Sequence, residues 1–158
     1  MNPVNQAIDD FLAQSRIAVA GVSRTPAGHG GNPVYVRLRE RGYQVFAVNP
    51  NADTVEGDPC FPDLHSIPGG VDGVVIATPP AAAESIVREC QELGITRVWM
   101  HRSFGAGSVS EEAHDYCRAN GITCIAGACP LMYGQTADGG HRFMRWFMGL
   151  MGRLPQEV

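Results

Sequence analysis

The sequence predicts a single α/β domain built on a doubly wound, five-stranded parallel sheet. Short apolar runs alternate with amphipathic segments, and a glycine-rich loop follows the first apolar run. A length of 158 residues with 44% apolar content suits one domain. We expect the strand order 3-2-1-4-5, with helices on both faces. Residues 1–158 then divide into a leading helix (1–15), a core (16–130) and a C-terminal loop and helix (131–158).

The chain is expected to begin with a helix and a strand. Asn2 and Pro3 are typical of a helix start, and the apolar residues after them recur at helical spacing, which predicts a helix over residues 4–14. The β-branched, apolar run at residues 17–20 predicts the first strand.

A glycine-rich loop without lysine joins this strand to the second predicted helix. Gly21 ends the apolar run, and Asn32 followed by Pro33 predicts the N-cap and first position of a helix over residues 32–41. Backbone N–H groups of such a loop and of the first helical turn can hold an anion. Residues 16–33 are therefore a candidate phosphate-binding segment.

The following residues continue the alternation of strands and helices. Further strands are predicted at 44–48, 71–77, 97–100 and 122–126, and further helices at 81–93 and 108–120. Ser108 or Ser110 is expected to cap the last of these helices. The intervening stretch to Gly70 is rich in Pro, Gly and Asp, so we expect a loop there, anchored by Leu64 and Ile67.

A last helix, predicted at residues 141–151, carries more apolar surface than one packing face usually hides. Aromatic and Met residues are favoured at subunit interfaces, so we expect a homodimer with Trp146 near the centre of a two-fold contact. Full burial of this helix within one subunit is the alternative.

Composition and charge exclude several classes of function. The net charge is −4 without runs of like charge, which argues against a nucleic-acid partner, and the absence of lysine excludes Schiff-base chemistry and a Walker lysine. Five cysteines without a CxxC pair, and no signal peptide, indicate reduced thiols in a cytoplasmic protein. No stretch approaches the roughly 18 apolar residues of a membrane span. Histidines at zinc-ligand spacing are lacking, so we expect no metal.

Ligands of open α/β sheets bind beyond the carboxyl ends of the strands, near the point where strand order reverses. The candidate binding residues follow the predicted strands or begin the second helix. They are Gly21, Val22, Ser23, Arg24, Asn32, Val48, Asn49, Pro50, Ala77, Thr78, Pro79, Pro80, Met100, His101, Cys129 and Pro130.

The first loop is not a dinucleotide fingerprint. Ser23 and Pro26 stand where GxGxxG requires glycine, and no acidic residue follows Val48 to bind the ribose 2′-hydroxyl of NAD. A neutral strand end beside an arginine tolerates a phosphate on the ribose, so NADP or coenzyme A fits better than NAD.

Five short motifs stand in order at the strand ends: AGVSR at 20–24, VNP at 48–50, ATPP at 77–80, VWM at 98–100 and ACP at 128–130. In these motifs the chain resembles the small CoA-binding proteins, whose Rossmann-like domain is similar to the CoA-binding domain of succinyl-CoA synthetase α subunits. The resemblance covers about residues 17–130. It implies that coenzyme A or an acyl-CoA is bound without catalysis by the domain alone.

The resemblance also implies roles for individual residues. Gly21, Ser23 and Arg24 would hold phosphates, residues 48–50 would flank the adenosine, and residues 78–80 would lie along the pyrophosphate and the pantetheine arm. The loop at residues 28–31 and the segment after Pro130 depart from shorter members of the family.

Several alternatives remain open from the sequence. Ser23 can merely shape the loop through a local turn, and Arg24 can be a solvated surface residue. His101 and Cys129 can meet for thiol chemistry, or can simply pack. The rival functions are therefore an NADP-linked or thiol-dependent enzyme, and a protein-interaction module whose nucleotide site has decayed.

Overall fold

The computed structural model describes residues 2–25, 30–102, 107–134 and 137–158. Within these ranges, helices alternate with strands along the chain. The helices are α1 (Pro3–Leu12), α2 (Gly31–Glu40), α3 (Pro80–Glu92), α4 (Glu111–Ala119) and α5 (Gly139–Leu150), with a 3₁₀ turn at Pro130–Met132. The strands are β1 (Arg16–Ala20), β2 (Gln44–Val48), β3 (Thr54–Val55), β4 (Asp58–Phe61), β5 (Gly73–Ile76), β6 (Arg97–Met100) and β7 (Thr123–Ala126).

The strands form one sheet in the order β3-β4-β2-β1-β5-β6-β7, in which only the β3–β4 pair is antiparallel. The doubly wound parallel architecture is confirmed. The predicted order 3-2-1-4-5 was wrong, because the strand from the 71–77 segment (β5) pairs directly with β1, Ile17 lying opposite Gly73. The switch point therefore lies between β1 and β5, which connect to opposite sides of the sheet.

β4 pairs with the outer edge of β2, although it comes from a segment that we predicted as loop. It forms a hairpin with β3, and these two strands raise the number of strands in the described residues from five to seven. Both strands of the hairpin are short, and β4 contains Pro59, a residue that occurs in edge strands rather than in central ones. This segment therefore lacks the alternation of apolar and polar residues that predicts a strand. Leu64 and Ile67 are buried beyond it as expected.

Helices cover both faces of the sheet and divide the core in two. One cluster joins the sheet to α1, α2, α5 and the 3₁₀ turn, and the other joins it to α3 and α4. Trp99 lies at the centre of the first cluster, with its ring 5.5 Å from that of Phe11 and 5.7 Å from that of Tyr133. Its indole N–H donates to Gly127 O at 2.8 Å, so the one polar atom of this buried side chain is satisfied.

Two of the predicted N-caps are confirmed and one was wrong. Asn2 accepts a hydrogen bond from Val4 N–H at 2.7 Å, and Ser110 accepts one from Ala113 N–H, so both residues are N-caps. Asn32 is not a cap: α2 begins at Gly31, and Asn32 lies inside the first turn with its side chain bonded to the preceding loop. The helix thus starts without a side-chain cap.

The last helix follows the 3₁₀ turn and is only partly covered. Asp138 caps it by accepting from His141 N–H at 2.9 Å. Met148 is fully buried, whereas Phe143 and Trp146 are 60% and 61% exposed, so full burial of the helix in one subunit is wrong. In the described ranges, every helix is too short or too polar to cross a membrane.

Candidate functional site

The loops after β1 and β5 touch at Gly21. Its N–H donates to Val48 O at 3.0 Å, and its φ is +98°. A Cβ at this position would lie 2.6 Å from the carbonyl carbon and oxygen of Ala77, closer than real contacts allow. Only glycine fits at this position. The ends of β1, β2 and β5 therefore come together at Gly21, on the carboxyl edge of the sheet.

The first turn of α2 closes on the same point. A Cβ on Gly31 would lie 2.6 Å from Gly21 O and 3.2 Å from the Ala77 Cβ. The N–H groups of this first turn have no partners within the helix, and they carry the positive end of its dipole. The N-terminus of α2 thus lies directly against the glycine loop, the loop that begins at Gly21 after β1. This arrangement is typical of an anion-binding site.

The side chain of Asn32 fixes the shape of this loop. Asn32 is only 2% exposed, and its Oδ1 accepts from Ser23 N–H at 2.8 Å. Its Nδ2 donates to Ser23 O at 2.8 Å and to Glu56 Oε1 at 2.9 Å. Both amide hydrogens are therefore used inside the protein, which makes Asn32 a scaffold for the loop.

Asn49 supports the loop from its other side. Its Nδ2 donates to Val22 O at 2.9 Å, and its Oδ1 accepts from Asn51 N–H at 2.8 Å. With Asn32 on Ser23 and Asn49 on Val22, two consecutive loop residues are held by side-chain amides. The N–H groups of Gly21 and Ser23 are also bonded within the protein, so donors for an anion must come largely from the first turn of α2 and from other side chains.

Ser23 and Thr78 each make one short-range bond, while Arg24 is exposed. Ser23 Oγ accepts from Thr25 N–H at 3.0 Å, the local turn that the sequence left as an alternative. Because a hydroxyl can accept and donate at the same time, the Ser23 O–H can still donate a hydrogen bond to an anion. Thr78 Oγ1 donates to Pro79 O at 3.1 Å, and Pro79 and Pro80 are exposed beside it.

His101 follows β6 and faces the start of α2. A Cβ on Gly30 would lie 3.3 Å from His101 Cε1, so the imidazole packs against the residue that precedes the helix. Burial lowers the pKa of His101, and the charge of His141 lowers it further. The ring is therefore neutral at pH 7, with one N–H to donate.

Arg102 lies directly after His101 at the end of β6, and the sequence predicts that both residues face the crevice. The backbone N–H of Arg102 donates to Ala128 O at 2.9 Å, and its guanidinium packs on Gly127, at the carboxyl end of β7. Among the described residues its buried Nε has no hydrogen-bond partner. Arg102 is therefore a further candidate donor beside His101.

Five apolar or thiol-bearing candidate residues lie inside the core: Val22, Val48, Met100, Cys129 and Pro130. Cys129 is only 3% exposed. Burial raises the pKa of the Cys129 thiol to about 11, so it stays protonated at neutral pH and is a poor nucleophile. All five cysteines are free and buried.

Two other features lie away from the carboxyl edge. A groove of about 630 Å³ between Arg16 and Arg41 opens at the opposite, amino-terminal edge of β1 and β2. Asp63, His65 and Glu89 converge on one surface point, but His65 Nδ1 contacts Glu89 at 3.1 Å and Asp63 accepts from Ser66. These bonds account for the cluster. The predicted loop at 28–31 lies partly outside the described residues.

By its fold and strand-end loops, the protein is a doubly wound α/β protein of the Rossmann-like class. The sequence profile of the CoA binding domain matches residues 15–135. The chain belongs to that family.

Relatives of known sequence include large ligases and a small protein. The chain is 35% identical over 88 residues to acetate–CoA ligase [ADP-forming] II of Archaeoglobus fulgidus, covering 54% of this chain but only 13% of that enzyme. It is 29% identical over 129 residues to the uncharacterized protein YneT of Bacillus subtilis, covering 81% and 92% of the two chains.

Solved structures show the same fold. A hypothetical protein from Pyrococcus horikoshii superposes with a TM-score of 0.73 at 25% identity, covering 82% of this chain and 91% of that one. A dinucleotide-forming acetyl-coenzyme A synthetase of Ca. Korarchaeum cryptofilum superposes with a TM-score of 0.63 at 24% identity, covering 76% of this chain and 27% of that one. The shared fold thus accounts for about a quarter of that synthetase chain.

Proposed function

We propose that this protein binds coenzyme A or an acyl-CoA at the carboxyl ends of β1, β2 and β5. The observation that carries the proposal is the contact of Gly21 with Ala77 and Gly31, which leaves no room for a Cβ. Such a close backbone approach lets N–H groups of the α2 N-terminus reach one phosphate group, whereas the N–H groups of Gly21 and Ser23 are bonded within the protein. Membership of the CoA binding domain family supports coenzyme A as the ligand.

Side-chain donors around this point suit a polyanion. Arg24 and Ser23 follow Gly21, and His101 and Arg102 approach from β6. Charge-assisted bonds from arginine to phosphate are stronger than neutral ones. We place the phosphates here, the adenosine beside residues 48–50 and the pantetheine arm along residues 78–80.

Binding without chemistry is the role we infer for the domain on its own. Cys129, the thiol that a thiol-dependent enzyme at this crevice would use, is buried and protonated. The ligase relative from Archaeoglobus fulgidus is matched over only 13% of its length, so the match does not assign that ligase activity to this chain. Five free thiols fit the cytoplasmic location that we propose.

Calorimetric titration with CoA, NADPH and NAD tests this function. We expect saturable binding of CoA and no comparable binding of NADPH or NAD. Binding of NADPH but not CoA would favour the NADP-linked enzyme, and no binding of any of the three would favour a module with a decayed site. Turnover of an acyl-CoA would remove the non-catalytic assignment.

Arg24→Ala is expected to weaken CoA binding by roughly 1.5 to 3 kcal/mol, since Arg24 would donate charge-assisted bonds. Titration of the variant with CoA and dephospho-CoA locates the contact. A larger loss for CoA places Arg24 on the 3′-phosphate, and equal losses place it on the pyrophosphate. Arg88→Ala is the control, because Arg88 pairs with Glu84 on the outer side of α3. Unchanged affinity for both ligands would exclude Arg24 from the site.

We further propose that the exposed face of α5 forms a two-fold interface between two copies. Phe143 stacks on Phe147 with ring centres 6.3 Å apart, and Trp146 and Leu150 are 61% and 69% exposed. Met148 on the opposite side anchors the helix in the core, so the aromatic face is presented on a fixed element. Aromatic and Met side chains of this kind favour subunit contacts.

Trp146→Glu is expected to convert a dimer to a monomer, as measured by sedimentation at micromolar concentration. Leu93→Glu is the matched control, since Leu93 is also an exposed apolar residue (41%) but lies at the end of α3. We expect that variant to remain dimeric. A wild-type protein that sediments as a monomer at this concentration would contradict the proposed interface.

A further inference from the structure

We propose that Glu56 is a positioning residue for the glycine loop, the candidate phosphate-binding loop after β1. Its carboxylate orients the Asn32 amide, and Asn32 in turn holds Ser23. This inference rests on the proposed function. It concerns a residue that is remote from the loop in sequence and that reaches it only because the hairpin of β3 and β4 folds over α2.

The turn of this hairpin aims Glu56 at the loop. Glu56 has a φ of +50° and Gly57 a φ of +81°, and Val55 pairs with Asp58 across the turn. A positive φ is uncommon for a residue other than glycine, and glutamate is not among the residues that favour it. In this conformation the Glu56 carboxylate bonds to Asn32 Nδ2 at 2.9 Å.

The hairpin is fastened to α2 by a second set of bonds. Arg39 donates to Glu56 O at 3.0 Å and to Asp58 Oδ2 at 2.6 Å, and the Tyr35 hydroxyl donates to the same Asp58 oxygen at 2.7 Å. The Tyr35 and Arg39 bonds lower the pKa of Asp58, so its carboxylate stays ionised at neutral pH. These bonds hold the hairpin against α2, so the Glu56 carboxylate reaches Asn32 from a fixed position.

The amide of Asn32 has one orientation that satisfies all its neighbours. Ser23 offers an N–H donor and a C=O acceptor, and Glu56 offers only an acceptor, so the nitrogen must face Glu56. The oxygen then faces Ser23 N–H. Without Glu56, a buried amide hydrogen loses its partner, and the loop loses the group that selects this orientation.

The hydrogen bond and the charge of Glu56 have opposite effects on an anionic ligand. The bond preorganises the loop and favours binding, whereas the negative charge repels phosphate and disfavours it. Glu56→Gln keeps an oxygen that accepts from Asn32 and removes the charge. Glu56→Ala removes both. Glu56→Asp keeps the charge but draws the carboxylate away from Asn32, and aspartate tolerates positive φ better.

The test is CoA titration of the three variants. We expect Glu56→Gln to bind CoA at least as tightly as wild type. Glu56→Ala should bind about tenfold more weakly than Glu56→Gln, and Glu56→Asp about tenfold more weakly than wild type, in each case the equivalent of one hydrogen bond. Glu40→Gln and Glu40→Ala are controls, because Glu40 pairs with Arg37 on the outer side of α2, and both should bind as wild type does. Equal weakening in Gln and Ala variants, or undiminished binding in the Ala and Asp variants, would overturn the proposal.

Hydrogen exchange of the Ser23 amide tests the same inference without ligand. This N–H donates to Asn32, so we expect exchange about tenfold faster in Glu56→Ala and Glu56→Asp but unchanged in Glu56→Gln. Thermal melting shows whether each variant is folded. If wild type fails to bind CoA, the proposed function fails, and the exchange rates still decide whether Glu56 positions the loop. Unchanged exchange in all three variants would overturn the inference.

Discussion

Gly21→Ala is expected to destabilise the protein by about 3 kcal/mol or more and to abolish CoA binding. The new Cβ would lie 2.6 Å from the Ala77 carbonyl and 2.8 Å from Thr78 N, and both are backbone atoms of the adjoining strand end. Overpacking of this kind costs roughly 1 to 3 kcal/mol, and the unfavourable φ adds about 1 to 2 kcal/mol. Urea denaturation measures the change in the free energy of unfolding.

Gly42→Ala separates the two contributions. Gly42 has a φ of +97°, almost equal to the +98° of Gly21, but a Cβ there would meet nothing within 4 Å. We expect this variant to lose only the cost of the backbone conformation, about 1 to 2 kcal/mol, and to bind CoA normally. Equal losses in the two variants would show that the contact with Ala77 does not restrict the site.

Asn32→Asp is expected to reduce both stability and CoA affinity, although the side chains have nearly the same shape. An oxygen would replace the nitrogen that donates to Ser23 O at 2.8 Å and to Glu56 Oε1 at 2.9 Å. Two bonds would become repulsive contacts in a buried place, and each buried acceptor that loses its donor costs about 1 to 3 kcal/mol. We expect a loss of about 3 kcal/mol and CoA binding at least a hundredfold weaker.

The loss in this variant is expected to depend on pH. Burial and the neighbouring Glu56 raise the pKa of a carboxyl at this position, and the protonated form regains a donor. The unfolded chain binds this proton less readily, so the stability of the variant relative to wild type should recover as the pH falls from 7 towards 5. Asn120→Asp, at an exposed position after α4, is the control. A defect that is equal at both pH values would contradict the role given to the Asn32 amide.

Local patterns predicted those parts of the fold that depend on neighbouring residues. The β-branched runs became β1, β2, β5, β6 and β7, and Asn2 caps α1, because strand propensity and capping act over a few residues. Strand order depends on long-range pairing. The sequence offered no means of seeing that β5 lies beside β1 and that β4 lies beside β2.

The convergence of candidate residues at Gly21 could be predicted, but the bonds among them could not. Gly21 could be identified because it ends an apolar run in a glycine-rich loop. Asn32 was misinterpreted as a cap because Asn followed by Pro is typical of helix starts, whereas its real partner Glu56 arrives from an unexpected hairpin. The sequence left open whether Cys129 packs or faces the crevice, since a residue after a strand can point to either side, and the structure buries it.

The most direct test of the account is a titration of the ¹⁵N-labelled protein with CoA, followed by amide chemical shifts. We predict saturable shifts at residues 21–25, at Gly31 and at Thr78, where the glycine loop, the α2 N-terminus and the β5 end converge. Amides around the groove between Arg16 and Arg41, at the opposite edge of the sheet, should stay unchanged. Shifts confined to that groove, or none at saturating CoA, would contradict the assignment of this crevice as the CoA site.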